Sequence, residues 1–289
     1  VSSGAVLDLN GFTLSTARPL TLNGQGLTGT PAGALTNTGG NASYSGAITL
    51  GSASTITATS SGTLTCSGAV TGAFALTLAG SAGTGTISGI ISTPTSVVKN
   101  GEGTWILSGT NTYTGATSVT AGVLNIKNNN GTGTTAGGVT VASGAALQVQ
   151  DGITVGAEAL TLNGTGISDD GALRSVGTGN LTNTWGGTIT LGSTARINAD
   201  ASSTLSIGNI TGSNINLFLG GIGTINVTGA ITTGTGSVTD DGPGNIIFSG
   251  TNTYSGATNI NNGITNLGAS NVFANNSNLV FDGELYNHD

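Results

Sequence analysis

Apolar residues return at every second position in short runs along this chain: Leu7/Leu9, Leu20/Leu22, Ile48/Leu50, Leu64/Cys66 and Leu76/Leu78. The habit continues at Leu147/Val149, Leu160/Leu162, Ile189/Leu191, Leu205/Ile207, Leu217/Leu219 and Ile225/Val227. Polar residues, mostly Thr, fill the positions between, with Phe218 the exception among these pairs. A period of two predicts strands that bury one face. Gly, Asn or Ser-Gly break each run after about 4–6 residues. Helices are not expected, because Glu, Lys, Gln and Met together number only eight. The chain reads as all-β.

The pattern is also written twice. Gly109–Thr117 reads GTNTYTGAT, and 141 residues later Gly250–Thr258 reads GTNTYSGAT. Gly46–Ser52 (GAITLGS) returns as Gly187–Ser193 (GTITLGS), and Leu20–Gly24 (LTLNG) returns as Leu160–Gly164. Val1–Leu7 returns as Val141–Leu147. A constant offset across many short matches marks a duplicated structural unit. The expected units are 1–140 and 141–281, with 282–289 as a tail or the start of a further, divergent unit.

Two architectures fit one-faced strands: a sandwich or barrel of hairpins, or a parallel β-helix (a β-solenoid). Irregular strand spacing, small to medium inward aliphatics and low aromatic content favour a narrow stacked core, and duplication favours it further. With roughly 20–25 residues per coil and ~4.8 Å between coils, the expectation is about 13 coils and a rod on the order of 60 Å.

Composition narrows the function. Charged residues are 6% of the chain, against roughly 25% in ordinary domains. The net charge of −7 rests on five basic and twelve acidic residues. Five cations make no phosphate-tracking patch, so nucleic acid is not an expected partner. No stretch approaches the ~20 apolar residues of a membrane helix, so this segment is not expected to insert in a membrane. With no initiator Met and no leader, it reads as a processed chain or a fragment. Cys66 is the lone cysteine and shares a strand face with Leu64, which suits a core thiol. The composition suits a bacterial surface or secreted protein held together by repetition rather than disulfides.

The TNTY segments have two readings. Asn111, Tyr113 and Gly115, with Asn252, Tyr254 and Gly256, can form a structural motif. In it, amide and hydroxyl ladders run beside a ring, and glycine turns the corner with positive φ. Alternatively Trp105, Tyr113, Trp185 and Tyr254 are exposed and contact glycans.

Val97–Ile126, VVKNGEGTWILSGTNTYTGATSVTAGVLNI, resembles the passenger-associated repeat of bacterial autotransporters. Thr239–Leu267 is a second copy with Asp240 for Lys99, Pro243 for Glu102 and Ile246 for Trp105. The resemblance implies a right-handed parallel β-helix exported to the surface of Gram-negative-type cells, often within very large adhesin-like proteins. The repeat itself implies no chemistry. The family's C-terminal membrane barrel is not in this sequence, so the chain is not expected to secrete itself.

Parallel β-helices also host polysaccharide lyases and hydrolases, which makes the acids worth weighing. Asp169-Asp170 and Asp240-Asp241 are 71 residues apart, roughly three coils or about 14 Å. Glycosidases need two carboxyls about 5–9.5 Å apart. These pairs read as solvated turn acids. Both are also weak calcium candidates at Asp-Asp-Gly turns, but no EF-hand loop is present. No other cofactor is expected. Arg174 and Arg196 are placed to pair with Asp170 and Asp200, each four residues away. His288, the only histidine, stands next to the last residue, which removes histidine triads and histidine-ligated metals from consideration.

The leading expectation is therefore a non-enzymatic extracellular structural protein. It would form a solenoid segment of a surface filament or adhesin-like stalk and associate with itself head to tail. The alternative is a glycan- or surface-binding passenger, with a polysaccharide lyase or hydrolase behind it.

Overall fold

A computed structural model describes residues 1–27, 33–59, 62–177, 179–273 and 277–281. The expected tail 282–289, with His288, lies outside the described residues. The chain forms two compact units, Val1–Gln148 and Val149–Asp289.

Each unit is a stack of short parallel strands, a β-solenoid. In unit 1, Ser96–Lys99 pairs with Ala75–Ala79 on one side and Ala116–Val119 on the other, all parallel. In unit 2, Thr224–Val227 lies in the same way between Ser203–Ile207 and Asn245–Phe248. The side chains of one coil therefore sit over those of the next, and alternation gives each strand one inward row.

The early coils are the long ones. Thr13 pairs with Ser43, 30 residues on, and Leu20 with Ile48, 28 on; the later steps Ile48 to Val70 and Thr84 to Thr104 take 22 and 20. Unit 2 repeats this, with Thr154 to Thr184 at 30 residues and Ile189 to Ile210 at 21. The described residues make about 11 turns, fewer than expected from a uniform coil.

The duplication extends to irregularities. Each unit contains one strand of 11 residues, Ile48–Ala58 and Ile189–Ala199. These exceed the expected strand length because they run through a corner. The start of Ile48–Ala58 pairs with Leu20–Gly24 and its end with Leu35–Asn37. The register slips between Leu22 and Gly24, and the same slip recurs between Leu162 and Gly164.

Two packing devices hold the coils at strand spacing. The first is a column of glycines at one corner. A Cβ on Gly68 would collide with the carbonyl oxygen of Gly46, one on Gly89 with that of Gly68, and one on Gly109 with that of Gly89. In unit 2, Gly187, Gly208, Gly229 and Gly250 occupy the corresponding column, and a Cβ on Gly250 would strike the Gly229 carbonyl. The second device is volume exchange between coils. The inward row of unit 1 runs Leu64, Gly85, Trp105, Leu124. The indole of Trp105 covers Gly85, where a Cβ would lie 2.5 Å from the ring. The matching row of unit 2 runs Leu205, Ile225, Ile246, Thr265. One unit packs small against large, the other medium against medium, which conserves the volume of the row.

Cys66 sits in this core, fully buried, and burial pushes its thiol up to about 12.

Candidate functional site

The TNTY segments form the same corner in both units. Asn111 reaches the coils on either side of its own: its Oδ1 accepts from Ile91 N at 2.9 Å and its Nδ2 donates to Gly131 O at 2.8 Å. Asn252 does the same, with Ile231 N at 2.8 Å and Val272 O at 2.5 Å. A side-chain amide has the donor and acceptor of a peptide unit, so here it completes a backbone ladder where the chain turns away. This is a bridge across three coils, whereas the sequence suggested a ladder of like residues. The Tyr113 hydroxyl hydrogen-bonds Thr117 Oγ1 at 2.7 Å, and Tyr254 hydrogen-bonds Thr258 Oγ1 at 2.6 Å.

Gly115 and Gly256 are needed for a different reason from the one expected. Neither has the positive φ of a left-handed corner. A Cβ on Gly115 would instead collide with the Thr95 carbonyl, and one on Gly256 with the Gly236 carbonyl. Close approach of neighbouring coils selects glycine at both positions.

The proposed glycan-contact aromatics are not on the surface. Trp105, Tyr113, Trp185 and Tyr254 are each at most 1% exposed. Trp105 Nε1 donates to Ala79 O at 2.9 Å and Trp185 Nε1 to Glu158 O at 2.9 Å. Rings buried edge and face cannot stack on a sugar. They fill the row and supply donors to the carbonyls of neighbouring coils.

Lys99 and Asp240 occupy equivalent buried positions with opposite charge. The Lys99 ammonium is fully buried and donates to the carbonyls of Gly101 (2.6 Å), Ala121 (2.9 Å) and Asn100 (3.3 Å). Burial lowers its pKa to about 8, with Glu102 opposing that shift. Asp240 is 3% exposed, which corrects the expectation of a solvated turn acid. Its Oδ2 accepts from Thr265 Oγ1 at 2.7 Å, while its Oδ1 is buried without a hydrogen-bond partner. Burial pushes this carboxyl up to about 6; Thr265 and the Gly242 N–H oppose the rise and Asp241 adds to it.

Asp169, Asp170, Asp200 and Asp241 are engaged with arginines or a hydroxyl. Arg174 binds Asp170 and, through Nε, Asp200 at 2.6 Å. Arg196 pairs with Asp241, with Nη1 to Oδ1 at 2.8 Å, and lies over the Phe218 ring at 5.4 Å. The expected Arg196–Asp200 pair is therefore replaced. Four residues along an extended strand span about 13 Å, whereas Asp241 lies two coils on, next to the strand Val238–Asp240 that stacks on Leu217–Gly221 and so on the Arg196 strand. Asp169 accepts from the Thr165 hydroxyl. Among the described residues no three His, Cys, Asp or Glu side chains converge as a metal-binding group.

Two shallow grooves cross unit 2. One, of about 390 Å³, is lined by Asp170, Arg174 and Asp200 among small residues. The other, of about 370 Å³, is lined by Asn180, Ser202, Thr204, Thr224 and Asn245. Ile222, 67% exposed, borders both. Sequence reasoning missed the meeting of Asp170, Arg174 and Asp200, because Asp200 comes from a different coil.

Residues 97–126 and 238–267 match the Passenger-associated-transport-repeat family. These two segments are passenger-associated-transport repeats. Over 71 residues the chain is also 42% identical to the adhesin BmaC autotransporter of Brucella suis biovar 1 (strain 1330). That stretch is 24% of this chain and 2% of the Brucella protein, so the chain spans only a small part of this relative. No solved structure matches the chain.

The first transport repeat contains Lys99, Trp105, Asn111, Tyr113 and Gly115, and the second contains Asp240, Asn252, Tyr254 and Gly256. Trp185 and the acids at Asp169 and Asp170 lie outside both. The conspicuous residues of the transport repeat are thus interior, and they join coils. Lys99 gives a pH signature. Its ammonium holds the proton less tightly in the folded chain than in the unfolded one. The folded state therefore gains stability as pH rises from about 8 toward the ordinary lysine value of 10.5. Denaturant unfolding of the wild type and Lys99→Met across this window reads that difference. The expected relative gain for the wild type is roughly 2–3 kcal/mol. Parallel pH profiles would mean that the buried ammonium carries no such cost.

Proposed function

We propose that this chain is a solenoid section of an adhesin-like autotransporter passenger, displayed on a bacterial surface and without catalytic activity of its own. The observation that carries this reading is the internal character of the two transport repeats. The amide, ring and glycine that both repeats carry are packed between coils and build the stack. The identity to the Brucella adhesin supports the same reading. The two carboxylates that meet in a groove are both tied to Arg174, which argues against a free acid and base working there.

The finer reading is a stalk or filament segment that continues by further stacking. Ile264–Leu267 pairs on one side with Asn245–Phe248 and exposes Ile264 and Leu267. Leu279–Phe281 pairs with Thr258–Ile260 and exposes Phe281. Apolar side chains beside a strand edge suit one more coil, supplied by the same chain or by a second copy.

Fusion of residues 1–289 to an autotransporter barrel in a non-adherent Gram-negative strain tests the function. Cells displaying the chain should adhere to glycan- or matrix-coated surfaces several-fold better than cells carrying the barrel alone. No gain in adherence, together with release of sugar fragments from a polysaccharide, would contradict the proposal. Sedimentation of the purified chain at rising concentration tests stacking: association supports it, and a monodisperse monomer removes it.

A further inference from the structure

The geometry points to a calcium site in unit 2 at Asp240, built on the corner where unit 1 carries the Lys99 ammonium. The two corners share their backbone bonding. Thr120 N donates to Lys99 O at 2.8 Å, and Asn261 N to Asp240 O at 2.8 Å. Gly103 N donates to Gly80 O at 2.9 Å, and Gly244 N to Gly221 O at 3.0 Å. Lys99 lies opposite Val119 in the ladder, and Asp240 opposite Ile260. The glycine that opens the next coil is left-handed in both, Gly122 with φ +64° and Gly263 with φ +69°. In each unit it lies against the same two carbonyls, those of Gly101 and Gly103 and those of Gly242 and Gly244. The turns differ at one point, since Gly101 is left-handed and Gly242 is not.

In unit 1 this corner collects three carbonyl oxygens around one positive charge. In unit 2 the carbonyls of Asp241, Gly242 and Asn262 hold the corresponding chain positions, and the ammonium is gone. A carboxylate has taken the place of the lysine side chain, and its Oδ1 is buried without a partner. Thr265 replaces the apolar Leu124 and fixes the other carboxylate oxygen. Pro243 replaces Glu102, which removes the acid that faced the lysine. A desolvated carboxylate oxygen, with backbone carbonyls at the chain positions that bind the lysine in unit 1, supplies an oxygen-only ligand set. It calls for a hard cation. One carboxylate with neutral carbonyls gives low charge, which places the affinity for Ca²⁺ near the millimolar range of extracellular modules.

Thermal unfolding of the whole chain in EDTA and in 10 mM CaCl₂ tests the site. Ca²⁺ should raise the Tm of the wild type by about 2–5 °C. The shift should vanish in Asp240→Asn. It should also vanish in Asp240→Lys with Thr265→Leu, which restores the unit 1 arrangement. No shift in the wild type overturns the site, as does an equal shift in Asp240→Asn. Equilibrium dialysis of the unmutated chain reads the same claim without a variant. One Ca²⁺ per chain at saturation supports it, and no bound Ca²⁺ at 10 mM overturns it.

Discussion

Exchanging Trp105 for isoleucine should cost unit 1 about 3 kcal/mol, and adding Gly85→Ile should return most of that loss. Alone, Trp105→Ile opens a cavity above Gly85 and leaves the Ala79 carbonyl without the indole N–H. Alone, Gly85→Ile drives a side chain into the indole ring, and overpacking of that kind costs at least 1–3 kcal/mol. Together the two changes write into unit 1 the pair that unit 2 already carries, Ile225 below Ile246. Urea denaturation of the wild type, both single variants and the double variant forms a complete cycle. The expected coupling is favourable and on the order of 3 kcal/mol. Additive losses would mean that the row does not pack coil on coil as described.

The second large effect lies in the glycine column. Gly68→Ala places a methyl group into the Gly46 carbonyl, and the clash is with backbone, which cannot step aside without breaking the strand spacing. The expected cost is about 3 kcal/mol, the upper end for overpacking. Two controls sharpen the test. At Gly208, the corresponding position of unit 2, the nearest atom to a Cβ is the Gly186 carbonyl oxygen at 3.3 Å, so Gly208→Ala should cost far less. Gly40 has open space and no positive φ, so Gly40→Ala should be neutral or stabilising by up to about 1 kcal/mol. Equal losses at Gly68, Gly208 and Gly40 would remove close approach as the reason for the column.

Much of this architecture is legible in the residues. The alternation at Leu64/Cys66 and Leu205/Ile207 marks strands with one inward face, and the 141-residue offset marks the duplication. The parity of Thr104–Leu107 also placed Trp105 inward with Leu107, and Asn111 shares parity with Tyr113. The alternative reading, in which Trp105, Tyr113, Trp185 and Tyr254 are exposed and contact glycans, runs against that parity and against their burial. Other features depend on neighbours far away in sequence. Arg196 finds Asp241 across 45 residues, whereas the nearby Asp200 invited a spacing rule that belongs to helices. Gly115 looked like a left-handed turn, because composition alone does not separate a φ requirement from a steric one. The burial of Lys99 and Asp240 follows from inward parity at the end of a strand, which charge disguised.

The central claim is that the signature residues of the transport repeats are interior and join the coils. Iodide quenching of tryptophan fluorescence tests it most directly, because Trp105 lies in the first repeat and Trp185, the one other tryptophan, is buried in the same kind of stack. The account predicts blue-shifted emission that iodide leaves nearly untouched in the native chain and quenches fully after unfolding. Red-shifted emission quenched in the native chain would put the indoles at the surface and contradict it.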